Sequence, residues 1–432
     1  MGWPDWIEII PLAGPVSAQV TVPGSKSITN RALVLAALAE GETILEGALW
    51  SEDTRVMAQA LQAIGFRVAV ESDPAEPANR TITVVGQGGR VPAGGTPENP
   101  RDLFVGNAGT AARFLTALVC LGQGVYRLRG VPRMHERPQA GLLAALRHLG
   151  YRIDAAGDRL PLAVHGGGPR PGACRVSVAQ SSQFASALLL CAEAGGWSVR
   201  IEGDHSEEQS YIEMTRQMAA RFPRCGGRFR IEPDASSGSY FWAANAVLEP
   251  QAHGWERIQV RHWPDSGWQV DARFPRFWPL PAEVSRARDL GDSIMTAIVL
   301  APWAGHPVRF TDLGRLRVQE CERVIALRAE LGRCGARVTE VGDTLTVEPG
   351  LLHGAEIETY QDHRMAMAFT ILGLKIAGIK IKNPACVQKT FPNFFAKLAA
   401  LPPAGLGAGF LEGGSGSPWP APPGCKGEER GL

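Results

Sequence analysis

The sequence predicts an α/β protein of two similar domains, each built from three repeated units. The prediction rests on a unit that recurs along the chain: a polar or charged cluster, an apolar helix of small residues, a stop at Gly or Pro, and a strand. Repeats of this kind constrain the fold class before any local detail does. Three copies start before about residue 235 and three after it. The six starts lie at residues 27–31, 107–110, 181–183, 236–237, 292–293 and 362–364.

The first helix of each unit is expected to be buried. In the first copy ALVLAALAEG leads into the strand TILEG, and in the third FASALLLCAEAGG leads into SVRIEG. A helix that is apolar nearly all round has no polar face to expose to water. We therefore expect these helices to form the cores of the two domains.

A second helix follows most copies and ends in a similar phrase. The phrases are LQAIGFRVAV, LRHLGYRIDA and LGRCGARVTE. In each, Gly suits the left-handed residue that ends a helix, and a strand begins at once. The fourth copy has no such phrase, and the chain between residues 250 and 288 is rich in Trp, Pro and Arg. We predict a shortened fourth unit.

Length, charge and cysteine spacing narrow the class of protein. The chain has 432 residues and a formal net charge of +1, which argues against binding nucleic acid or a membrane surface through bulk charge. The eight cysteines form no CxxC motif and no Cys/His cluster with zinc spacing, so we predict free thiols and no metal. The sequence has no signal-peptide pattern and no apolar stretch long enough to span a bilayer, and we expect a cytoplasmic protein.

The last residues differ in character from the rest. Gly, Pro and Ser dominate residues 402–432. Such a composition cannot bury enough apolar surface to offset the entropy of ordering the chain. We predict a disordered tail over 402–432.

The polar clusters lie where the first helix of each unit begins. A helix N-terminus carries free backbone N–H groups and about half a positive charge, so several such ends around one cleft would bind anions. The alternative is that each Ser, Thr or Asn only caps its helix. Cations beside this positive end are unfavourable unless an anion accompanies them. Lys26, Arg31 and Arg364 stand at or near such starts, which favours an anion site.

Local spacing adds two further features. Ser27 and Arg31 are four residues apart and share one helix face. Arg137 precedes Pro138, and Pro favours the first helical position. Arg137 is therefore predicted to lie in an extended approach to a helix start.

Two more candidates come from the second half of the chain. Glu320 and Arg323 are predicted on one face of a helix that begins near Gln319. A structural salt bridge between them explains the pair equally well. Lys389 stands just ahead of another predicted helix.

Together these clusters resemble the enolpyruvyl transferase family, and within it the EPSP synthases. The matching phrases run in the family's order from about residue 10 to about residue 400. They are VPGSKSITNRALVLAALAEG, GNAGTAARFLTAL, PRMHERP, SSQFASALLL, DASSGSYF, LRVQECERV, TYQDHRMAMAFTI and KTFPNFF.

The resemblance implies a two-domain enolpyruvyl-transferase-like fold, with three βαβαββ units in each domain around a cleft that closes over substrate. Residues 1–22 and 236–401 then form a discontinuous first domain, and residues 23–235 form the second. The implied reaction moves the enolpyruvyl group of phosphoenolpyruvate to the 5-hydroxyl of shikimate 3-phosphate through a tetrahedral intermediate and releases phosphate. No metal or organic cofactor, nucleic acid or membrane is implied, and a monomer is expected.

The resemblance also implies roles for individual residues. Phosphoenolpyruvate carries a phosphate and a carboxylate, and the planar guanidinium of Arg suits both. The implied catalytic residues are Lys26, Asp292, Glu320 and Lys389. The implied shikimate 3-phosphate ligands are Lys26, Ser27, Arg31, Thr110, Ser181, Ser182, Gln183, Tyr211, Asp292 and Gln319. The implied phosphoenolpyruvate ligands are Lys26, Asn107, Gly109, Arg137, Gln183, Arg323, Arg364 and Lys389. The sequence around Gly109 matches the glyphosate-sensitive form of the family.

Two departures from the family leave alternatives open. Gln319 stands where relatives have a Lys, and Glu208 lies in a segment that usually carries a cation. A non-catalytic paralogue that binds shikimate-like anions is therefore one alternative. The sister enzyme, UDP-N-acetylglucosamine 1-carboxyvinyltransferase, is another. That family has a reactive Cys five residues before its Arg, where this chain has Pro132.

Overall fold

The computed structural model describes residues 3–203, 209–248 and 257–412. The chain divides into two compact units, and each is described by itself. The first unit comprises Met1–Pro23, Pro74–Ala78 and Pro233–Leu432, as far as these residues are described. The second comprises Gly24–Asp73 and Asn79–Glu232. No pattern in the sequence indicates that the five residues of Pro74–Ala78, inside the predicted second domain, pack with the first unit.

The second unit alternates helices and strands, labelled here in chain order. Its helices are α1 (Lys26–Leu38), α2 (Glu52–Ile64), α3 (Gly109–Cys120), α4 (Pro132–Glu136), α5 (Ala140–His148), α6 (Ser182–Gly195) and α7 (Gln209–Arg221). Its strands are β3 (Glu40–Leu49), β4 (Arg67–Ser72), β5 (Asn79–Gln87), β6 (Arg101–Phe104), β7 (Gln123–Arg129), β8 (Arg152–Ala155), β9 (Leu162–Gly167), β10 (Gly172–Ser177), β11 (Trp197–Glu202) and β12 (Gly227–Arg230).

The first unit is built in the same way. Its strands are β1 (Trp6–Ile10), β2 (Ala18–Val20), β13 (Ile258–Val260), β14 (Glu283–Ser285), β15 (Val308–Thr311), β16 (Val338–Val341), β17 (Thr344–Val347), β18 (Glu356–Ile357), β19 (Ile379–Lys382) and β20 (Gly409–Glu412). Its helices are α8 (Ala235–Leu248), α9 (Ile294–Leu300), α10 (Arg323–Arg333), α11 (His363–Gly373) and α12 (Phe394–Ala399).

Four of the sheets share one pattern of strand pairing, which is the structural counterpart of the sequence repeat. The orders are β12-β3-β5-β4 and β6-β7-β9-β8 in the second unit, and β14-β15-β17-β16 and β18-β19-β1-β20 in the first. In each, the first two strands are parallel and the next two pairings are antiparallel. The pairs β10-β11 and β2-β13 are parallel. The predicted α/β class is confirmed.

The first helix of each repeat lies in a core, as predicted. In α8, twelve of fourteen residues are buried, and in α11 all eleven are. Residues along the strands alternate instead between buried and partly exposed positions. In β1, Ile7 and Ile9 are buried, and they pair with Ile381 and Ile379 of β19. In this core, the apolar face of a sheet thus packs over mostly apolar, buried helices.

The fourth repeat is shortened, as predicted. Between β13 and β14 the described chain has a 3₁₀ helix, Val270–Phe277, in place of a second α-helix. The indole of Trp263 donates to the carbonyl oxygen of Ala272, which holds this segment to the chain before it.

The prediction of a disordered tail from residue 402 is wrong for residues 402–412. Residues 409–412 form β20, which pairs with β1 in the register Ile9↔Phe410. Backbone bonds also tie Leu406 and Ala408 to Leu398 at the end of α12. A Gly-rich stretch gives no hydrophobic pattern, but its backbone can still complete an open sheet edge. Residues 413–432 lie outside the described residues.

Candidate active site

The start of α1 carries the first of the predicted cations. Lys26 is the first residue of the helix, and its ammonium lies 3.4 Å from a carboxylate oxygen of Asp53 on α2. Asp53 is almost fully buried, whereas the Lys26 side chain keeps 18% of its exposure. Asp53 therefore supplies a countercharge within the protein, so an anion is not needed to explain why a cation is tolerated here.

Arg31 is buried one turn further along α1. Its guanidinium donates to Thr215 Oγ1 of α7 at 2.7 Å, to Ser186 Oγ of α6 at 3.1 Å and to the carbonyl oxygen of Ser27 at 2.9 Å. It also lies 5.4 Å from the centre of the Phe114 ring on α3. The shared face of Ser27 and Arg31 is confirmed. Arg31 joins four helices, so it has a structural role whatever it binds.

The start of α3 brings the next set together. Gly109 opens the helix, and the amide of Asn30 on α1 donates to Thr110 Oγ1 at 3.4 Å. The guanidinium of Arg137 donates to the carbonyl oxygen of Asn107 at 3.1 Å. A Cβ on Gly109 would lie 2.7 Å from an Arg137 nitrogen, closer than atoms in contact can come. A larger residue at 109 would therefore push the guanidinium of Arg137 away from the start of α3.

Arg137 adopts the predicted extended conformation, with φ −73° and ψ 140°. It lies between α4 and α5, in the short link 137–139. The following helix begins at Ala140, two residues later than the sequence predicted from Pro138.

Arg113 is a residue that the sequence reasoning missed. It is 2% exposed, and its guanidinium donates to Gln183 Oε1 of α6 at 3.4 Å and to the carbonyl oxygen of Pro138 at 2.7 Å. It thereby links α3, α6 and the segment that carries Arg137. The one usable signal was position, because Arg113 follows Gly109 by four residues on the same face of an otherwise apolar helix.

The start of α6 shows capping together with burial. Ser181 is the N-cap, and its hydroxyl accepts from the backbone N–H of Gln183 at 3.3 Å. Ser181 and Ser182 are buried, and Gln183 is half-buried against Arg113. Tyr211, on α7, is half-buried, and its carbonyl oxygen receives the hydroxyl of Thr215 at 2.8 Å. The capping alternative is thus correct for Ser181, and it does not exclude a ligand.

In the first unit, Asp292 lies between two arginines. Its carboxylate oxygens are 3.4 Å from Arg286 and 3.1 Å from Arg364. Burial raises the pKa of this carboxyl, but Arg364, Arg323 and Arg286 outweigh burial and hold the pKa well below its usual range. Asp292 is therefore an ionised carboxylate. Arg286, which is 1% exposed at its side chain, was not identified from the sequence.

Arg323 is the centre of a second charge cluster. Its guanidinium contacts both oxygens of Asp362, at 2.6 and 3.2 Å, and a Glu320 oxygen at 2.9 Å. It also donates to Gln319 Oε1. Burial lowers the pKa of Arg323, but Asp362, Glu320 and Asp292 together raise it above its usual value. The expected Glu320–Arg323 salt bridge is present, which was the structural alternative for this pair.

The predicted helix start near Gln319 is wrong. α10 begins at Arg323, and Glu322 is its N-cap, accepting from the backbone N–H of Ile325 at 2.6 Å. A carboxylate at the N-cap fits the positive end of the helix, and it moves the start beyond Glu320. Gln319 and Glu320 therefore lie on the chain that leads into the helix.

Asp271 connects two of the predicted starts and was also missed. It is 5% exposed, it receives the hydroxyl of Ser236 on α8, and it receives the backbone N–H and hydroxyl of Ser293 at 3.0 and 2.5 Å. Burial and the nearby Asp292 raise its pKa, while the two serines oppose that shift. Asp271 thus holds the start of α8 against the residue before α9, next to Asp292.

Lys389 is the last of the predicted cations. It is 9% exposed and ends the 3₁₀ helix Pro384–Lys389, while α12 begins five residues later at Phe394.

Among the described residues no group of three or more His, Cys, Asp or Glu could hold a metal ion. No helix in the described part of the chain is long and apolar enough to cross a membrane.

Comparison with known proteins identifies the family. The chain matches the sequence profile described as EPSP synthase (3-phosphoshikimate 1-carboxyvinyltransferase) over residues 12–273 and 259–398. The 3-phosphoshikimate 1-carboxyvinyltransferase of Trichormus variabilis is 38% identical, over 91% of this chain and 98% of that protein. The chain belongs to the EPSP synthase family. A Rhizobium etli enzyme of the same name is 40% identical over 91% of this chain and 97% of that protein.

Solved structures agree at the level of the fold. The EPSP synthase of Acinetobacter baumannii has a TM-score of 0.70 at 22% identity and covers 94% of this chain and 99% of its own. The enolpyruvyl transferase NikO of Streptomyces tendae has a TM-score of 0.64 at 15% identity, covering 95% and 99%. The predicted enolpyruvyl-transferase-like fold is confirmed.

Of the two positions that depart from other EPSP synthases, the structure describes Gln319. Gln319 offers its side-chain oxygen to Arg323, so the residue that replaces the family's Lys is engaged with another member of the predicted site. Glu208 lies outside the described residues.

Proposed function

We propose that this chain transfers the enolpyruvyl group of phosphoenolpyruvate to the 5-hydroxyl of shikimate 3-phosphate, giving 5-enolpyruvylshikimate 3-phosphate and phosphate. The observation that carries the proposal is the close likeness, over nine-tenths of the chain, to enzymes named for this reaction. In the first unit, charged residues that the reaction needs lie together, since Arg323 contacts Glu320 and Arg364 contacts Asp292.

Phosphoenolpyruvate is assigned chiefly to arginines and lysines. Arg323 and Arg364 are buried guanidiniums whose orientation is fixed by carboxylates, so they lose little freedom when they take an anion. Arg137 is held by the Asn107 carbonyl against Gly109, which leaves the rest of its fork for a ligand. The full set is Lys26, Asn107, Gly109, Arg137, Gln183, Arg323, Arg364 and Lys389.

Shikimate 3-phosphate is assigned to the hydroxyl-rich helix starts. Ser181 and Ser182 stand at the N-terminal end of α6, where backbone N–H groups favour a phosphate. Tyr211 and Arg31 are joined by a bond from the guanidinium to the Tyr211 carbonyl oxygen at 3.4 Å. The full set is Lys26, Ser27, Arg31, Thr110, Ser181, Ser182, Gln183, Tyr211, Asp292 and Gln319.

The chemistry needs a proton removed from the 5-hydroxyl and a proton delivered to the methylene carbon of phosphoenolpyruvate. We assign Asp292 to the hydroxyl, because it is an ionised carboxylate that can accept a hydrogen bond and then a proton. A carboxyl whose pKa is held low is a weak base, so Asp292 accepts the proton only after a bound anion draws its arginine partners away. Glu320 is assigned to proton transfer at the methylene carbon. Lys26 and Lys389 stabilise the phosphate that leaves.

We also propose that the enzyme works in the cytoplasm as a monomer, on small-molecule substrates and without a metal or organic cofactor. The near-neutral charge of the chain supports the choice of small substrates over nucleic acid. Size-exclusion chromatography with light scattering tests the monomer.

Phosphate release by the purified protein tests the function. We expect release from phosphoenolpyruvate only when shikimate 3-phosphate is present, and little release from the Arg364→Ala variant purified in the same way. Release with UDP-N-acetylglucosamine instead of shikimate 3-phosphate would identify the sister activity. A protein that binds shikimate 3-phosphate but releases no phosphate would be the non-catalytic paralogue.

A further inference from the structure

The turn before α11 is held in an unusual backbone conformation. Tyr360 and Gln361 are consecutive residues with positive φ, 53° and 56°. Residues with a Cβ avoid this left-handed region, and two in succession need support from the surroundings. The next residue, Asp362, caps α11 and contacts Arg323 with both oxygens. The turn thus positions the carboxylate that orients Arg323, and the helix start that carries Arg364.

Glu330 supports this turn from α10. It is fully buried; one of its oxygens accepts from the Tyr360 hydroxyl at 2.7 Å, and the other accepts from the backbone N–H of Glu358 at 3.1 Å. Arg333 lies 3.2 Å from the second oxygen, with half of its own side chain exposed. Glu330 therefore contacts the turn at Glu358 and at Tyr360, on either side of Thr359.

Arg323 and Glu330 act from one helix face. They are seven residues apart in α10, which is two helical turns, so their side chains share a face. Arg323 contacts the turn at Asp362, and Glu330 contacts it at Tyr360 and Glu358. These contacts hold both ends of the five-residue stretch 358–362 against one helix.

We propose that Glu330 and Tyr360 are positioning residues for the reaction. Their hydrogen bond holds the left-handed turn, and the turn sets Asp362, Arg323 and Arg364 in the geometry that binds the phosphoenolpyruvate anion. Neither residue contacts substrate in this scheme. The inference rests on the proposed function, because it assigns Arg323 and Arg364 to phosphoenolpyruvate.

The first test is kinetic. Tyr360→Phe removes only the hydroxyl of a partly exposed residue, so the protein should fold. Glu330→Gln leaves an amide N–H₂ to meet one of the two donors. We expect each variant to raise KM for phosphoenolpyruvate about tenfold, with KM for shikimate 3-phosphate within twofold of the parent. Arg333→Gln is the matched control, since it removes a partner of Glu330 outside the turn, and its KM values should stay within twofold.

The second test is rescue by glycine. Gln361 is exposed, and glycine adopts the left-handed region without strain. Adding Gln361→Gly to Tyr360→Phe should restore at least a third of the parental kcat/KM for phosphoenolpyruvate. A residue that merely supports the fold would lower the melting temperature and would not be rescued in this way. Parental KM values in Tyr360→Phe, or the same KM in Tyr360→Phe with and without the glycine, would overturn the proposal.

A third measurement separates this proposal from the proposed function. Amide hydrogen exchange of the peptide over residues 358–366 needs no substrate. It should be faster in Tyr360→Phe and Glu330→Gln than in Arg333→Gln. A parent enzyme without transferase activity would refute the proposed function alone. Equal exchange in the three variants would refute the positioning role, whatever the activity.

Discussion

Gly109→Ala is the change whose effect follows most directly from the structure. The new Cβ would lie 2.5 Å from an Arg113 nitrogen and 2.7 Å from an Arg137 nitrogen, where ordinary contacts begin at 3.4 Å. The guanidiniums must therefore withdraw by about 0.9 and 0.7 Å respectively. Gly109 has helical backbone at the start of α3, so alanine brings no backbone strain of its own. The perturbation is confined to the two arginines.

The displacement should weaken phosphoenolpyruvate binding far more than stability. A lost or stretched hydrogen bond to a charged group is worth about 1.5–3 kcal/mol, which corresponds to roughly 10- to 100-fold in kcat/KM. We expect kcat/KM for phosphoenolpyruvate to fall by that factor. Arg137 is half-buried and can turn away, whereas Arg113 is buried and its bonds to Gln183 and Pro138 must stretch. The melting temperature should therefore fall, by no more than about 3 °C.

Steady-state phosphate release at saturating shikimate 3-phosphate measures this effect. Gly332→Ala is the matched control, because Gly332 also lies in a helix and a Cβ there meets nothing within 4 Å. It should leave the kinetics unchanged and stabilise the protein by about 0.5–1 kcal/mol. An unchanged KM for phosphoenolpyruvate in Gly109→Ala would refute the assignment of Arg137 to this substrate.

Three further predictions concern the proposed site. Lys26→Ala and Arg364→Ala should each lower kcat/KM by a factor of at least about 100, as expected for a lost charge-assisted contact, and near-normal turnover in either would show that the site is misassigned. Glyphosate should inhibit competitively with phosphoenolpyruvate, and an inhibition curve flat to millimolar concentrations would contradict this. The pKa of Asp292 is held below its usual range, so the stability contributed by its ionised form is present above about pH 4 and is lost only at more acid pH. The free energy of urea unfolding should therefore differ between Asp292→Asn and the parent by the same amount at every pH from 5 to 8.

The repeated helices could be predicted because their signals are local. Each copy shows the same pattern: a mostly apolar helix that begins at a polar cluster and ends near Gly or Pro. The helices predicted from this pattern are buried as expected, namely α1, α3, α6, α8 and α11. The helix starts also placed the polar candidates at the correct ends of these elements. The predicted start of α10 was wrong, because the helical pattern fits equally well one turn earlier and the N-cap at Glu322 decides the start.

The support residues could not be predicted because packing decides them. Arg286 and Arg288 stand two apart in SRARDLGDS, yet the first is 1% exposed at its side chain and the second 68%. Nothing in the local sequence says which of the two turns inward toward Asp292. Asp271 is similar, since its partners Ser236 and Ser293 are 35 and 22 residues away. Such contacts appear only once distant segments are folded together.

The charge cluster of the first unit is balanced within itself, and this bears on the reaction. Arg286, Arg323 and Arg364 face the carboxylates of Asp292, Glu320 and Asp362 at 2.6–3.4 Å. An entering phosphate or carboxylate must therefore compete with these carboxylates for the guanidiniums. If the ligand takes Arg364, Asp292 loses its nearest cation, and its pKa rises from the depressed value. Asp292 would then be a stronger base once the anion is bound at Arg364. A balanced cluster of this kind would couple anion binding to the basicity of Asp292, the carboxylate that we assign to the hydroxyl proton.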